Sequence, residues 1–197
     1  MGKINFDSIL AKTLRSPRVQ RQAYAAVAEK VNEVKADLLH DFNTHPATRE
    51  IEAGPELESS DVLPNSYGNL YSYLGFEDGR NPTMPVREKL EAISVQSRPE
   101  IRGETINFKV NIPTEEELEE ISFMNWEAGK SWLSAVERGL SGFSSYLFTL
   151  SRNVGRSGAG IQTGNNMGRS GGKYFVGTPY LFDMLKKFRS RLNKIRA

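Results

Sequence analysis

A chain of 197 residues, 38% hydrophobic and 25% charged, is long enough for one domain of ordinary size and short for two. It has no cysteine, which excludes disulfides, thiolate nucleophiles and cysteine zinc sites, and no apolar run long enough to span a membrane. We therefore expect a single α+β domain over 1–197 that is made in a cytosol, with no membrane among its partners.

The first part of the chain predicts helix. A short apolar face over 4–14 stops at Ser16-Pro17, where the proline can begin a second helix. That helix is predicted over 17–42, because apolar residues recur at three- and four-residue steps. They are Val27, Val31, Val34, Leu38 and Phe42. So long a helix with one narrow stripe needs a packing partner, either the chain's own sheet or a neighbouring subunit.

The middle of the chain predicts irregular structure followed by short elements. Residues 43–69 contain several Pro, Gly and acidic residues with few large apolar ones, which predicts a long loop or extended arm used for binding. A strand is predicted over 69–76, a turn over 77–82 and a short helix over 85–93. Strands are predicted over 92–98 and 105–112, the second with strict apolar–polar alternation.

Helices and a glycine-rich segment make up the rest. Thr114 and Glu117 form a capping box for a helix whose inner face is Leu118, Ile121 and Phe123. A helix is predicted over 126–140, strands over 144–150 and 173–176, and a flexible basic loop, rich in Gly, Ser and Arg, over 151–172. Thr178 and Pro179 are expected to start a last helix with one apolar face.

These elements predict one α+β domain. A small twisted, mostly antiparallel sheet is packed by the long N-terminal helix and further helices, with long loops between them.

Patterns for catalysis, metal binding or cofactor binding are weak. His40 and His45 are five residues apart, which is not the spacing of a helical metal pair, and the acids over 115–120 splay around their helix. The glycines over 158–164 are followed by Asn165 instead of the lysine of a phosphate-binding loop. We expect no catalytic residues, no metal and no cofactor, and an enzyme using this loop is the least favoured reading.

The net charge of +2 is unevenly distributed. Residues 1–40 carry seven Lys/Arg and four Asp/Glu, residues 41–125 seven and seventeen, and residues 126–197 twelve and three. The successive regions therefore have net charges of +3, −10 and +9. Opposite-sign surfaces of this kind suit contact with a neighbour, although the regions could equally neutralise each other within one fold.

The basic end is also compatible with nucleic acid. Ten Lys/Arg against the single Asp183 after residue 150 would meet a phosphate backbone without reading sequence. The ordinary alternative is the wet side of an amphipathic helix. Candidate residues for nucleic acid, or for the lumen of a ring, are Arg152, Arg156, Arg169, Lys173, Lys186, Lys187 and Arg189.

Two stretches resemble virion proteins of tailed bacteriophages. NTHPATREIEAGP at 43–55, followed by GNLYSYLGF at 68–76, resembles virion structural proteins of marine tailed phages. GFEDGRNPTMPVR at 75–87 is similar to the strand–turn–proline segment of tail-completion proteins, the neck components that join head and tail.

The resemblance implies a ring in the head–tail neck, either a tail terminator or a head-completion ring, located in the virion after assembly in the host cytoplasm. It implies six or twelve copies, contacts with other neck, portal or tail proteins, and DNA passing through the lumen. The acidic middle then becomes an inter-subunit surface. Its candidate residues are Glu50, Glu52, Glu56, Glu58, Asp61, Glu115, Glu116 and Glu119.

Overall fold

The computed structural model describes residues 10, 12–57, 62, 69–124, 127–138 and 179–195. The described helices are α1 (Pro17–Thr44), α2 (Pro46–Ala53), α3 (Leu70–Tyr73), α4 (Met84–Glu91), α5 (Glu115–Ile121), α6 (Trp132–Arg138) and α7 (Leu181–Leu192), with a 3₁₀ turn at Gly54–Glu56. The described strands are β1 (Ser94–Val95), β2 (Glu100–Arg102), β3 (Thr105–Asn107), β4 (Val110–Asn111), β5 (Phe123–Met124) and β6 (Glu127–Ser131).

The long helix α1 is confirmed and extends two residues beyond its predicted end. It begins with proline in the first turn, after Ser16 in extended conformation, and stops at His45, which is extended as well. Val31, Leu38 and Phe42 of the predicted stripe are buried, whereas Val27 and Val34 are half-buried. Helix α1 packs against α2, α4, β1 and α7. Burial in the core therefore begins only at Val31.

The prediction of a loop or arm over 43–69 is wrong for its first part. Residues 46–56 form α2 and the 3₁₀ turn, and Ala47, Thr48 and Ile51 are buried. Pro46 suits the first turn of a helix, and the ring Nδ1 of His45 accepts the N–H of Ala47 at 3.2 Å. Proline here restarts a helix after a sharp corner. Residues 58–61 and 63–68 lie outside the described part.

The strand predicted over 69–76 is also wrong, because its two ends favour a helical turn. The Asn69 side chain accepts the N–H of Ser72 at 2.7 Å, which starts α3. Gly75 has a φ of +71°, and the Phe76 N–H reaches back to the Tyr71 carbonyl, which closes the helix. The aromatic composition reflects burial here, since Leu70, Tyr71 and Leu74 are core residues.

The turn over 77–82 and the helix α4 follow the prediction. The strands form three separate antiparallel pairs, β1–β4, β2–β3 and β5–β6, instead of one sheet. The α+β class and the antiparallel pairing are therefore confirmed. The alternation over 105–112 holds in the exposure pattern, but the segment is divided between β3 and β4.

The segment around α5 and α6 differs from the prediction in two places. The capping box of Thr114 and Glu117 is present and Leu118 is buried, but Phe123 is 57% exposed, because it follows the helix on a short edge strand. The first half of the helix predicted over 126–140 is the strand β6. Gly129, with a φ of +81°, does not fit a right-handed helix, so the helix begins only at Trp132.

The last helix closes the core. It begins at Leu181, two residues later than predicted, and its first turn follows Pro179 and Tyr180. Its apolar face packs on the C-terminal half of α1 and on α6. The largest fully buried side chains of the core include Phe42, Tyr71, Trp132, Tyr180 and Phe188. The strands predicted over 144–150 and 173–176 lie outside the described part.

Candidate assembly surfaces

The start of the basic helix α7 is held by hydrogen bonds to a carboxylate on α6. The carboxylate of Glu137 on α6 accepts the N–H groups of Tyr180 at 3.2 Å and Phe182 at 2.6 Å. A carboxylate is well placed at the positive end of a helix. Burial raises the pKa of Glu137, and the hydrogen bonds from Phe182 and Tyr180 act in the opposite direction.

A buried polar contact joins the start of α7 to α2. The hydroxyl groups of Tyr180 and Thr48 are 2.5 Å apart, and both residues are fully buried. Burial raises the pKa of Tyr180 well above its usual value, so the phenol is neutral. Phe42 stacks on the same ring with 5.9 Å between ring centres. This contact locks the register of α7 against α1 and α2.

His45 lies at the same junction. Its ring is 4.7 Å from that of Tyr180, and it hydrogen-bonds the backbone of Pro179, which has only a carbonyl to offer. Because Nδ1 accepts from Ala47, His45 is neutral and donates its other N–H to that carbonyl. Burial lowers the pKa of His45, and the bond to Pro179 partly opposes the shift. His45 is therefore a structural link between α2 and the segment before α7.

The predicted basic residues of α7 are exposed, but their charges are partly used within the fold. Lys187 pairs with Asp183 at 2.7 Å, and Arg189 donates to the Pro113 carbonyl at 3.2 Å. Arg191 pairs with Asp37 on α1 at 2.9 Å. Lys186 is exposed, and no described side chain pairs with it. Two of its basic residues thus have carboxylate partners in the fold, but neither partner belongs to the acidic middle of the chain. The other candidates, Arg152, Arg156, Arg169 and Lys173, lie outside the described residues, as does all of 151–172.

The predicted acidic surface divides into buried and exposed parts. Glu50 is only 5% exposed and accepts the N–H of Val62 at 2.9 Å, so its assignment to an open surface is wrong. Glu52 is engaged by Arg87 and accepts the Thr83 hydroxyl at 2.6 Å. The side chains of these acids satisfy groups of their own chain.

The exposed acids form a second group. Glu115 and Glu116 are exposed at the start of α5, with Glu119 half-buried beside them, and Glu56 is exposed on the 3₁₀ turn. A backbone N–H and the Thr114 hydroxyl lower the pKa of Glu116. Glu58 and Asp61 lie outside the described residues. Among the described candidates, Glu56 and the start of α5 therefore remain exposed to a neighbour.

The sequence analysis missed a charged face on α1, the face that points away from its apolar stripe. Its side chains are all exposed and lie at positions 18, 22, 25, 26, 29, 33 and 36. Lys12, Arg15, Arg18 and Arg21 come first along the chain, and Glu29, Glu33 and Asp37 follow with Lys30 and Lys35 among them. The net charge summed over 1–40 does not show this order, whereas net charges over ten-residue segments do.

Within the described residues, no group of three or more His, Cys, Asp or Glu side chains is close enough to hold a metal ion. No helix in the described ranges is both long and apolar enough to cross a membrane.

The comparisons with known proteins return no relative. No family model matches the chain, and neither a curated protein nor a solved structure matches it.

Proposed function

We propose that this chain is a structural subunit of the neck of a tailed bacteriophage, one copy of a ring between head and tail, acting through assembly and not through catalysis. The observation that carries the proposal is α1. Its 28 residues extend about 42 Å, and its charged outer face is exposed along the helix.

The long helix favours assembly for an energetic reason. Most of the stability of a helix in a protein comes from burying one face, and isolated helices of about 12–15 residues are marginal in water. No residue of α1 before Val31 is buried, and the described aromatic contact of this half is Tyr24 with Phe108, at 5.9 Å. A neighbouring subunit would supply the missing contacts of this half.

The neck assignment is supported by the sequence resemblance. The segments that carry it form α2, α3, the following turn and α4, with the helical turn α3 where the resemblance implies a strand. These elements are packed in one region, because α2 contacts both α1 and α3, and α4 contacts α1. The resemblance therefore covers a contiguous part of the core and the end of the long helix.

A ring also needs two different surfaces that meet head to tail. The start of α5 offers exposed Glu115 and Glu116, while Lys186 on α7 offers positive charge. Contacts of opposite sign would orient neighbouring subunits and speed their encounter. In this proposal DNA passes through the lumen, and portal or tail proteins cover the two ends of the ring.

The test is the mass and symmetry of the purified protein, measured by light scattering after size exclusion and by electron microscopy, alone and with portal and tail proteins. We expect a discrete ring of six or twelve copies, alone or on its partner, and the same subunit at the neck of the virion. A chain that stays monomeric in every mixture and turns over a small molecule would overturn the proposal.

The rival function is sequence-independent nucleic-acid binding by the basic C-terminal third. The exposure of Lys186, Lys187 and Arg189 favours it, whereas the contacts of Lys187 and Arg189 with Asp183 and Pro113 weaken it. A salt titration of duplex DNA binding separates the two functions. Tight binding by the monomer with a steep salt dependence would favour the rival.

A further inference from the structure

We infer that the outer face of α1 is a two-fold contact surface that pairs antiparallel with α1 of a second copy. The inference rests on the proposed assembly role but not on its assignment to a phage neck. A two-fold contact joins two subunits, or holds two rings face to face, and a different contact must close each ring.

The first argument is that the charges of α1 oppose their own helix. Arg18 and Arg21 lie near the positive N-terminal end, while Asp37 and Asp41 lie near the negative C-terminal end. The first turn contains no acid and the last turn no base. At the C-terminal end this order is compensated by α7 of the same chain, because Arg191 pairs with Asp37 and Lys187 lies near Asp41. The uncompensated charge is therefore at the N-terminal end.

The second argument is the repetition of like charge. Glu29, Glu33 and Asp37 are spaced by four residues, a spacing at which like charges repel along a helix. Asp37 is relieved by Arg191, but no described cation is paired with Glu29 or Glu33. Both side chains are exposed and point to the same side as Arg18.

The third argument is that the pattern is complementary to itself when reversed. If two copies of α1 cross at the midpoint between Ala25 and Ala26, residues equally far from that point face each other. Arg18 then faces Glu33 of the second copy, and Gln22 faces Glu29. Each pair occurs twice, because the contact has a two-fold axis.

The centre of the face permits close approach. Ala25 and Ala26 are both exposed and have the smallest side chains that still favour a helix. Helix axes approach to about 8–10 Å depending on the side chains between them, and alanines allow the shorter distance. No described element of the chain covers this face, since the residues of the face, from 18 to 36, are exposed.

Charge exchange tests the pairing. We expect Arg18→Glu, and separately Glu33→Arg, to weaken self-association at least about tenfold, because two attractive pairs become repulsive in each dimer. The double variant should restore it. Arg21→Glu makes the same change of charge at the side of the helix and serves as the matched control. Sedimentation velocity over a wide concentration range, at low and high salt, measures the effect.

Cross-linking tests the antiparallel orientation. The chain contains no cysteine, so one introduced thiol reports unambiguously. Ala25→Cys lies beside the two-fold axis and should form a disulfide-linked dimer on oxidation. Ala36→Cys is equally exposed on the same face, but the two copies of it would be about 30 Å apart. A parallel pair would cross-link at both positions.

The outcomes separate this inference from the proposed function. If the protein forms a discrete oligomer that is unaffected by the charge exchange, or if Ala36→Cys cross-links as readily as Ala25→Cys, the inference is wrong and the assembly role stands. If the wild-type chain stays monomeric alone but joins a ring on portal or tail proteins, the inference is wrong and the assembly role stands; if it associates in no mixture, both are wrong. If Arg18→Glu leaves association unchanged but abolishes duplex DNA binding, the face is a nucleic-acid surface and the inference is again wrong.

Discussion

The hydroxyl groups of Tyr180 and Thr48 should make coupled contributions to the free energy of unfolding, because they form one hydrogen bond with each other. The two hydroxyl groups are 2.5 Å apart and both residues are fully buried, so water cannot replace a lost partner. We expect Tyr180→Phe and Thr48→Val each to lower the free energy of unfolding by about 1–2 kcal/mol, because each leaves the other hydroxyl buried and unsatisfied.

The double variant decides whether this reasoning is right. Removing both hydroxyls leaves nothing unsatisfied, so the double variant should be about as stable as either single variant, with a coupling energy of about 1–2 kcal/mol. Urea unfolding followed by far-UV circular dichroism measures the free energy of unfolding of all four proteins. In thermal unfolding, each single change should lower Tm by about 2–8 °C. Additive losses, or no loss in the single variants, would refute the contact.

Three further predictions concern the same junction and α1. Burial lowers the pKa of His45, so the unfolded chain binds more protons, and stability should be lost as pH falls below about 6.5, the ordinary histidine value. His45→Gln should flatten that dependence in urea titrations at several pH values. Glu137→Ala leaves two N–H groups at the start of α7 without an acceptor and should cost about 2–3 kcal/mol, more than Glu137→Gln. Amides of α1 before Val31 should exchange hydrogen faster than those after it, measured by mass spectrometry at a concentration where the protein is monomeric.

Each of these has a contradicting result. A pH dependence unchanged by His45→Gln would assign the loss to other groups. Equal stability of Glu137→Ala and the wild type would mean that the carboxylate does not support α7. Uniform exchange along α1 would show that its first half is as stable as its second.

The elements that depend on local patterns, namely apolar periodicity along a helix and capping residues at its start, were predicted correctly from the sequence. The apolar stripe of α1, the capping box at Thr114 and the face of α7 depend on residues within a few turns of each other, and each is present. The sequence did not reveal that Pro46 restarts a helix. That outcome depends on packing Ala47 and Ile51 against elements distant in sequence.

Short aromatic segments were the main source of error, because burial and strand propensity favour the same residues. Leu70 and Tyr71 are apolar enough for a strand, but the Asn69 cap and the left-handed Gly75 produce one helical turn. The Tyr180–Thr48 contact joins residues 132 positions apart, and no local pattern predicts such a pair.

The regional net charges do not locate the charged surfaces that are open to another molecule. The basic end predicted from regional sums includes α7, whose Lys187 and Arg191 have partners in the fold. A regional sum cannot distinguish a charge that satisfies its own domain from one that awaits another molecule. The surfaces that are open to another molecule are found only when the ion pairs within the chain are left out of the count.

Because most of the basic residues of α7 have partners in the fold, α1 is a better candidate than α7 for the assembly surface. The first half of α1 contributes no buried side chain, and its basic residues oppose the helix dipole, so local terms alone make this half the least stable part of the helix. The C-terminal half is held by the core and keeps the whole helix in register. An antiparallel second copy would place acids against the basic half and cover it at the same time. A single contact would thus offset both unfavourable features, which is why we place the self-association surface there.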